Sequence, residues 1–126
     1  MSLTHNEAKH LDFWAALDAL VTSHEVVVER ARGSDHPRYS DIEYPLDYGY
    51  LEGTTSSDGA AIDVWIGSLE ERQIEAVVLT VDLDKRDSEI KNMLGCTDKE
   101  TTTIFSFHNK GQQSALLIPR VDSKGK

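Results

Sequence analysis

The chain has 126 residues, 39% hydrophobic and 28% charged, with a formal net charge of −9. That length predicts one domain with a real core, and no apolar run approaches the roughly 18 residues of a membrane span. The acidic balance disfavours a general nucleic-acid binder, whose affinity comes largely from Lys and Arg neutralising phosphates.

Residues 5–22 predict an amphipathic helix. Thr4 and Glu7 have capping-box spacing. Leu11, Trp14, Ala15, Asp18 and Val21 share one stripe, widened by Leu17 and Leu20, which suits a helix packed on a sheet. Trp14 alternatively offers a contact between copies. His5 and His10 read as solvated. Residues 24–30, HEVVVER, predict a strand. A polar loop follows over 31–39, with a turn at Gly33-Ser34-Asp35 and Pro37 holding His36 extended. Arg30, Arg32 and Arg38 bracket that loop.

Tyr48 to Leu51 is β-prone, and Glu52 to Gly59 is turn chemistry. Ile62, Val64 and Ile66 then alternate with Asp63 and Trp65, the period of a half-buried strand. Asp63 therefore faces away from the Ile/Val set, and a carboxylate in an apolar strand needs its charge compensated. Asp58 and Asp63 flank the hairpin mouth near tyrosine hydroxyls, a plausible seat for a hard cation and a phosphate.

Residues 74–83 predict the next strand, running into Asp82, Asp84, Asp87, Glu89 and Lys91. On spacing alone, residues 84–95 read as a short charged helix with Asp87 and Lys91 an i,i+4 pair. Residues 98–109 predict a helix capped by Thr97 with Glu100, its buried edge made by Ile104 with Phe105 or Phe107. Cys96 reads as a core or turn residue. Residues 114–120 predict a final strand and 121–126 a frayed tail. A lone cysteine and an N-terminus without a basic-then-apolar pattern predict a reducing, cytoplasmic setting.

One composite motif goes further. Tyr44-Pro45-Leu46-Asp47-Tyr48-Gly49-Tyr50-Leu51, then Asp58-Gly59-Ala60-Ala61-Ile62-Asp63-Val64, resembles the core of the soluble inorganic pyrophosphatases. The resemblance implies an α+β fold: a small closed, mostly antiparallel, OB-like β-barrel with two or three peripheral helices, residues 1–126 forming a single domain. It implies metal-dependent hydrolysis of inorganic pyrophosphate, or a related phosphoanhydride, by a metal-activated water. Mg2+ or Mn2+ would be the cofactor, a small phosphate compound the substrate, and a homo-oligomer the assembly, with no nucleic-acid or membrane partner.

Carried onto these residues, the resemblance makes Asp58, Asp63 and Tyr48 catalytic, and Asp58, Asp63, Asp84 and Glu89 the metal ligands. Arg38, Arg30, Tyr48 and Lys91 would bind substrate. Asp84 and Glu89 with Lys91 reproduce the family's D-x4-D-x-K spacing, in a region that is strand and loop in the family. Asp82 and Asp87 share the five-residue spacing, but Glu89 then falls on the Lys position. The motif also departs from the family pattern. Ala60 stands where an aspartate helps activate the attacking water, Ala61 replaces a proline, and Asp47 replaces an asparagine. His108 and Asn109 fall where the family carries a Tyr-Lys pair. A non-catalytic or retuned barrel that binds a phosphorylated metabolite, or serves as an interaction module, is therefore the alternative.

Overall fold

The computed structural model describes residues 10–121. Among them are two helices and six strands in one sheet: α1 (Phe13–Ser23), β1 (Val26–Arg30), β2 (Asp47–Leu51), β3 (Ile62–Ile66), β4 (Ile74–Asp82), β5 (Asp87–Leu94), α2 (Asp98–Phe107) and β6 (Gln113–Pro119). The strand order is β1-β2-β3-β5-β4-β6. Every neighbouring pair is antiparallel except β3 with β5. The expected α+β class and mostly antiparallel sheet are present. Closure into a barrel is not: the ladder runs from β1 to β6, and these two end strands are not paired with each other.

Period-two alternation divides the sheet into two faces. One buries Leu51, Val64, Ile66, Ile74, Val77 and Leu94 beneath Trp14, Leu17, Leu20 and Val21 of α1. The other buries Trp65, Ala76, Val78 and Met93 with Tyr44 and Leu46, and Ile104 of α2 lies in the same cluster. Asp63 shares this second face with Trp65, as the alternation requires.

Two readings need correction. First, α1 starts at Phe13, capped by Asp12, whose carboxylate accepts from the backbone N–H of Ala15 at 2.8 Å. Leu11 is thus outside the helix and 49% exposed. Thr4, Glu7 and His5 lie outside the described residues, as do residues 122–126 of the expected tail. Second, of the two readings open for residues 84–95, the strand and loop implied by the resemblance is present and the charged helix is not. Asp82 and Asp87 face each other across a turn, so Asp87 to Lys91 is extended and their side chains are not helical neighbours. Long-range pairing with β4 and β3 overrides the local helix pattern. The polar loop expected over 31–39 is present, and backbone bonds tie it down. Gly33 N–H donates to Tyr44 O, Tyr44 N–H to Ser34 O and His36 N–H to Ile42 O, at 2.7–2.9 Å. Helix α2 meets its expectation, with the Thr97–Glu100 capping box made in both directions.

Candidate functional site

The second face opens into a cleft of about 1380 Å³. Four stretches build its walls: the folded 36–44 segment, the strand β2 with Tyr48, the β4–β5 hairpin, and the α2–β6 turn with Lys110 to Gln113. Aromatic rings form its floor. His36 stacks on Tyr44 with planes 1° apart, Tyr44 on Tyr48, and Tyr48 lies 4.6 Å from Trp65.

Lys91 is the centre of the polar chemistry. Residues 87, 89 and 91 of β5 all point to this face, and Lys91 is only 8% exposed. Its Nζ donates to Tyr48 Oη at 2.8 Å and Asp63 Oδ2 at 3.0 Å, and lies 2.6 Å from Glu89 Oε1. Three acceptors on three strands thus meet the three ammonium hydrogens. Burial works against the charge, but the neighbouring oxygens outweigh it and hold the Lys91 pKa above its ordinary value. Burial pushes the Tyr48 hydroxyl well up, so it stays protonated. Burial alone would raise Glu89, but its bond to Lys91 brings the pKa below the usual value.

The other expected residues are divided between two adjoining recesses. Asp58 is in the β2–β3 turn, where its Oδ1 accepts from Ser56 Oγ at 2.6 Å and Ala60 N–H at 2.9 Å. The Ser56 bond, then the Ala60 one, lowers its pKa. With Asp63, Glu89 and Asn92 it lines a second, smaller recess of about 220 Å³ beside Phe13 and Leu17. The Lys91 cluster stands between the two: Lys91 faces the large cleft, Asp63 the small recess, and Glu89 both. Asp84 is in the β4–β5 turn and lines the large cleft with Asp82 and Asp87. Of the two candidate acid pairs, strand register brings Asp82 and Asp87 directly opposite, although Asp82 Oδ1 also accepts from the N–H groups of Asp84 and Lys85.

Arg38 lines the cleft. Arg30 faces Tyr48 in the strand register but is not among the lining residues. Burial, then the charges of Arg30 and Arg38, lowers the His36 pKa, so both guanidinium groups are felt at this wall. Asp47 accepts from the Arg32 N–H at 2.7 Å, which fixes the entry to β2.

Of the metal set expected from the motif, Asp58, Asp63 and Glu89 line the small recess together, and Asp84 lines the large cleft with Glu89. Asp63 and Glu89 are taken up by the Lys91 ammonium, Asp58 by its turn, and Asp84 lines a different recess from Asp58 and Asp63. Among the described residues, no three or more His, Cys, Asp or Glu side chains are placed to hold a metal ion. The Lys91 ammonium occupies the point where Asp63 and Glu89 meet.

Two lining residues carry little signal in the sequence. Trp65 Nε1 donates to His108 Nε2 at 3.1 Å, and His108 Nδ1 meets Gln113 Oε1 at 3.1 Å. Those bonds define a neutral imidazole whose Nδ1–H points to Gln113. Asn109 instead caps the start of β6, accepting from the Ala115 N–H. Cys96 is buried, which pushes its thiol up to about 12 and leaves it unreactive.

Burial holds the His108 pKa down at about 4. The unfolded imidazole titrates near 6.5, so below that pH the unfolded chain takes up a proton that the folded chain refuses. Stability should be unaffected by this group above pH 6.5 and fall by about 3 kcal/mol by pH 4, at about 1.36 kcal/mol per unit. Urea unfolding of wild type and His108→Gln across that range checks this. Identical pH slopes in the two proteins would absolve the imidazole.

The fold has known counterparts. An inorganic pyrophosphatase from Neisseria gonorrhoeae superposes with a TM-score of 0.58 at 17% identity, covering 75% of this chain and 80% of that one. One from Helicobacter pylori gives 0.57 at 15% identity, covering 82% and 89%. One from Coxiella burnetii gives 0.55 at 12%, covering 79% and 85%. No curated protein matches the chain by sequence. The family model for inorganic pyrophosphatase, however, matches residues 9–115, nearly the whole of the chain, and on that match the chain belongs to the inorganic pyrophosphatase family.

Proposed function

We propose that the large cleft binds inorganic pyrophosphate or a related phosphorylated anion, and that this chain hydrolyses it far more slowly than a family member with an intact motif. The observation that carries the reading is the Lys91 cluster. An ammonium ties up Asp63 and Glu89, the acids the family motif assigns to metal, while Ala60 leaves the turn without the carboxylate that would position water. Losing a positioned base costs on the order of 10²–10⁴ in rate. Anion recognition is supported by four cations, Arg38, Lys85, Lys91 and Lys110, reaching one cleft from three separate segments of an acidic protein. Arg38 is the best placed to pair two phosphate oxygens through its planar fork. Tyr48 and Lys91 supply a fixed polar wall rather than mobile contacts.

A second reading, efficient hydrolysis with Mg2+ or Mn2+, is favoured by Asp82 and Asp87 standing opposite at the cleft mouth. The family resemblance also supports two lesser proposals, a homo-oligomer and a cytoplasmic location. No described helix is long and apolar enough to cross a membrane.

Calorimetry with pyrophosphate, alongside phosphate release with Mg2+ and Mn2+, separates these readings. Binding with slow release supports the first, and family-like turnover supports the second. Absence of binding under every condition ends both. Arg38→Ala should weaken binding by roughly 1–3 kcal/mol, the usual worth of a hydrogen bond to a charged group. If it binds as wild type does, the 36–44 wall is outside the anion site.

A further inference from the structure

We infer that the Lys91 ammonium is a built-in cation that takes the place of a divalent ion between Asp63 and Glu89, so that this carboxylate pair is held closed without metal. Three features carry it. The ammonium has oxygens of Tyr48, Asp63 and Glu89 at 2.8, 3.0 and 2.6 Å, which matches its three hydrogens and leaves none over. An ion and the ammonium cannot share that point. The partners come from β2, β3 and β5, and the fold fixes each independently. Tyr48 is stacked against Trp65 at 4.6 Å, and Asp63 is held through its backbone, whose carbonyl accepts from Asn92 Nδ2 at 3.1 Å. Glu89 shares a strand face with Lys91 two residues on. Finally, Lys91 is 8% exposed, so the charge is not a surface lysine visiting an acidic patch.

The consequence reaches beyond the identity of the anion in the cleft. A divalent ion at this place would have to expel a buried ammonium or leave two cations side by side, so the pair is closed to divalent ions while Lys91 is present. Removing the ammonium should open a metal seat that the native protein lacks.

The test follows melting temperature with and without millimolar Mn2+. Wild type and Asp63→Asn should show the same Mn2+ shift, since any ion taken up by wild type binds away from Asp63. Lys91→Met should gain a further Mn2+ shift of roughly 5 °C, and the double variant Lys91→Met/Asp63→Asn should lose that gain. Lys91→Gln provides a second route if the methionine variant does not fold. Should neither fold, the wild-type comparison still decides. An Mn2+ shift in wild type that Asp63→Asn abolishes would overturn the inference, because Asp63 would then hold an ion despite Lys91. A folded Lys91 variant with no added Mn2+ shift would overturn it as well.

Discussion

Gly49→Ala should remove a large share of the chain's stability. A Cβ on residue 49 would sit 1.8 Å from the backbone oxygen of Val27 and 2.8 Å from its carbonyl carbon. Both atoms belong to β1, which pairs residue for residue with β2 here and bulges just beyond, between Val28 and Arg30. The clash is with main chain, so no rotamer change relieves it; β1 must move away and give up its hydrogen bonds to β2. Packed interiors do not absorb displacements of that size. The cost should be on the order of 4 kcal/mol, above the usual range for overpacking and a large share of a small domain's total stability. Urea unfolding of the purified variant measures it. A loss below about 1 kcal/mol would mean that β1 docks less tightly than its register implies.

Lys91→Met should be the most damaging change within the site, lowering stability by about 3 kcal/mol at neutral pH. Methionine keeps most of the lysine stem, so the loss isolates the charge. Two carboxylates would then share a pocket with no cation. Breaking a fully buried pair costs roughly 3–5 kcal/mol, and the lower end applies because Asp63 and Glu89 side chains keep 31% and 23% of their exposure. The pH dependence follows from the shifts. The lowered pKa of Glu89 gives stability that is present above its ordinary value near 4.3 and lost as pH falls through the depressed one. The raised pKa of Lys91 gives stability present below its ordinary value near 10.4 and lost as pH rises through the raised one. The deficit of the variant should therefore be level between about pH 6 and pH 9 and shrink below about pH 5, where protonation relieves the paired acids. Unfolding curves of both proteins from pH 4 to pH 9 test the profile; a deficit that does not shrink in acid would trace the loss to packing instead.

Much of this protein was legible in its sequence because the governing physics is local. Alternation at Ile62, Val64 and Ile66 set the strand and put Asp63 and Trp65 on the other face. Thr97 and Glu100 announced the capping box of α2. The Tyr44–Val64 motif named the family that the match over residues 9–115 bears out. What pairs at long range was not legible. Residues 87–94 carry enough charge at i,i+4 spacing to resemble a helix, and only docking between β3 and β4 makes them a strand. Asp18 looked like one more residue on a helical stripe. It accepts from the Ile74 N–H and pairs with Arg120, 102 positions away, tying α1 to the β4–β6 edge of the sheet. The Trp65–His108 bond spans 43 positions, and its extension to Gln113 had no motif to mark it either. The site turned on the same distinction. Sequence spacing supplied four acids and a lysine, but it could not say whether the acids would face one another or face the lysine. The fold decided that by placing Tyr48, Asp63 and Glu89 around one ammonium, since only assembled strands fix the distances on which electrostatics depends.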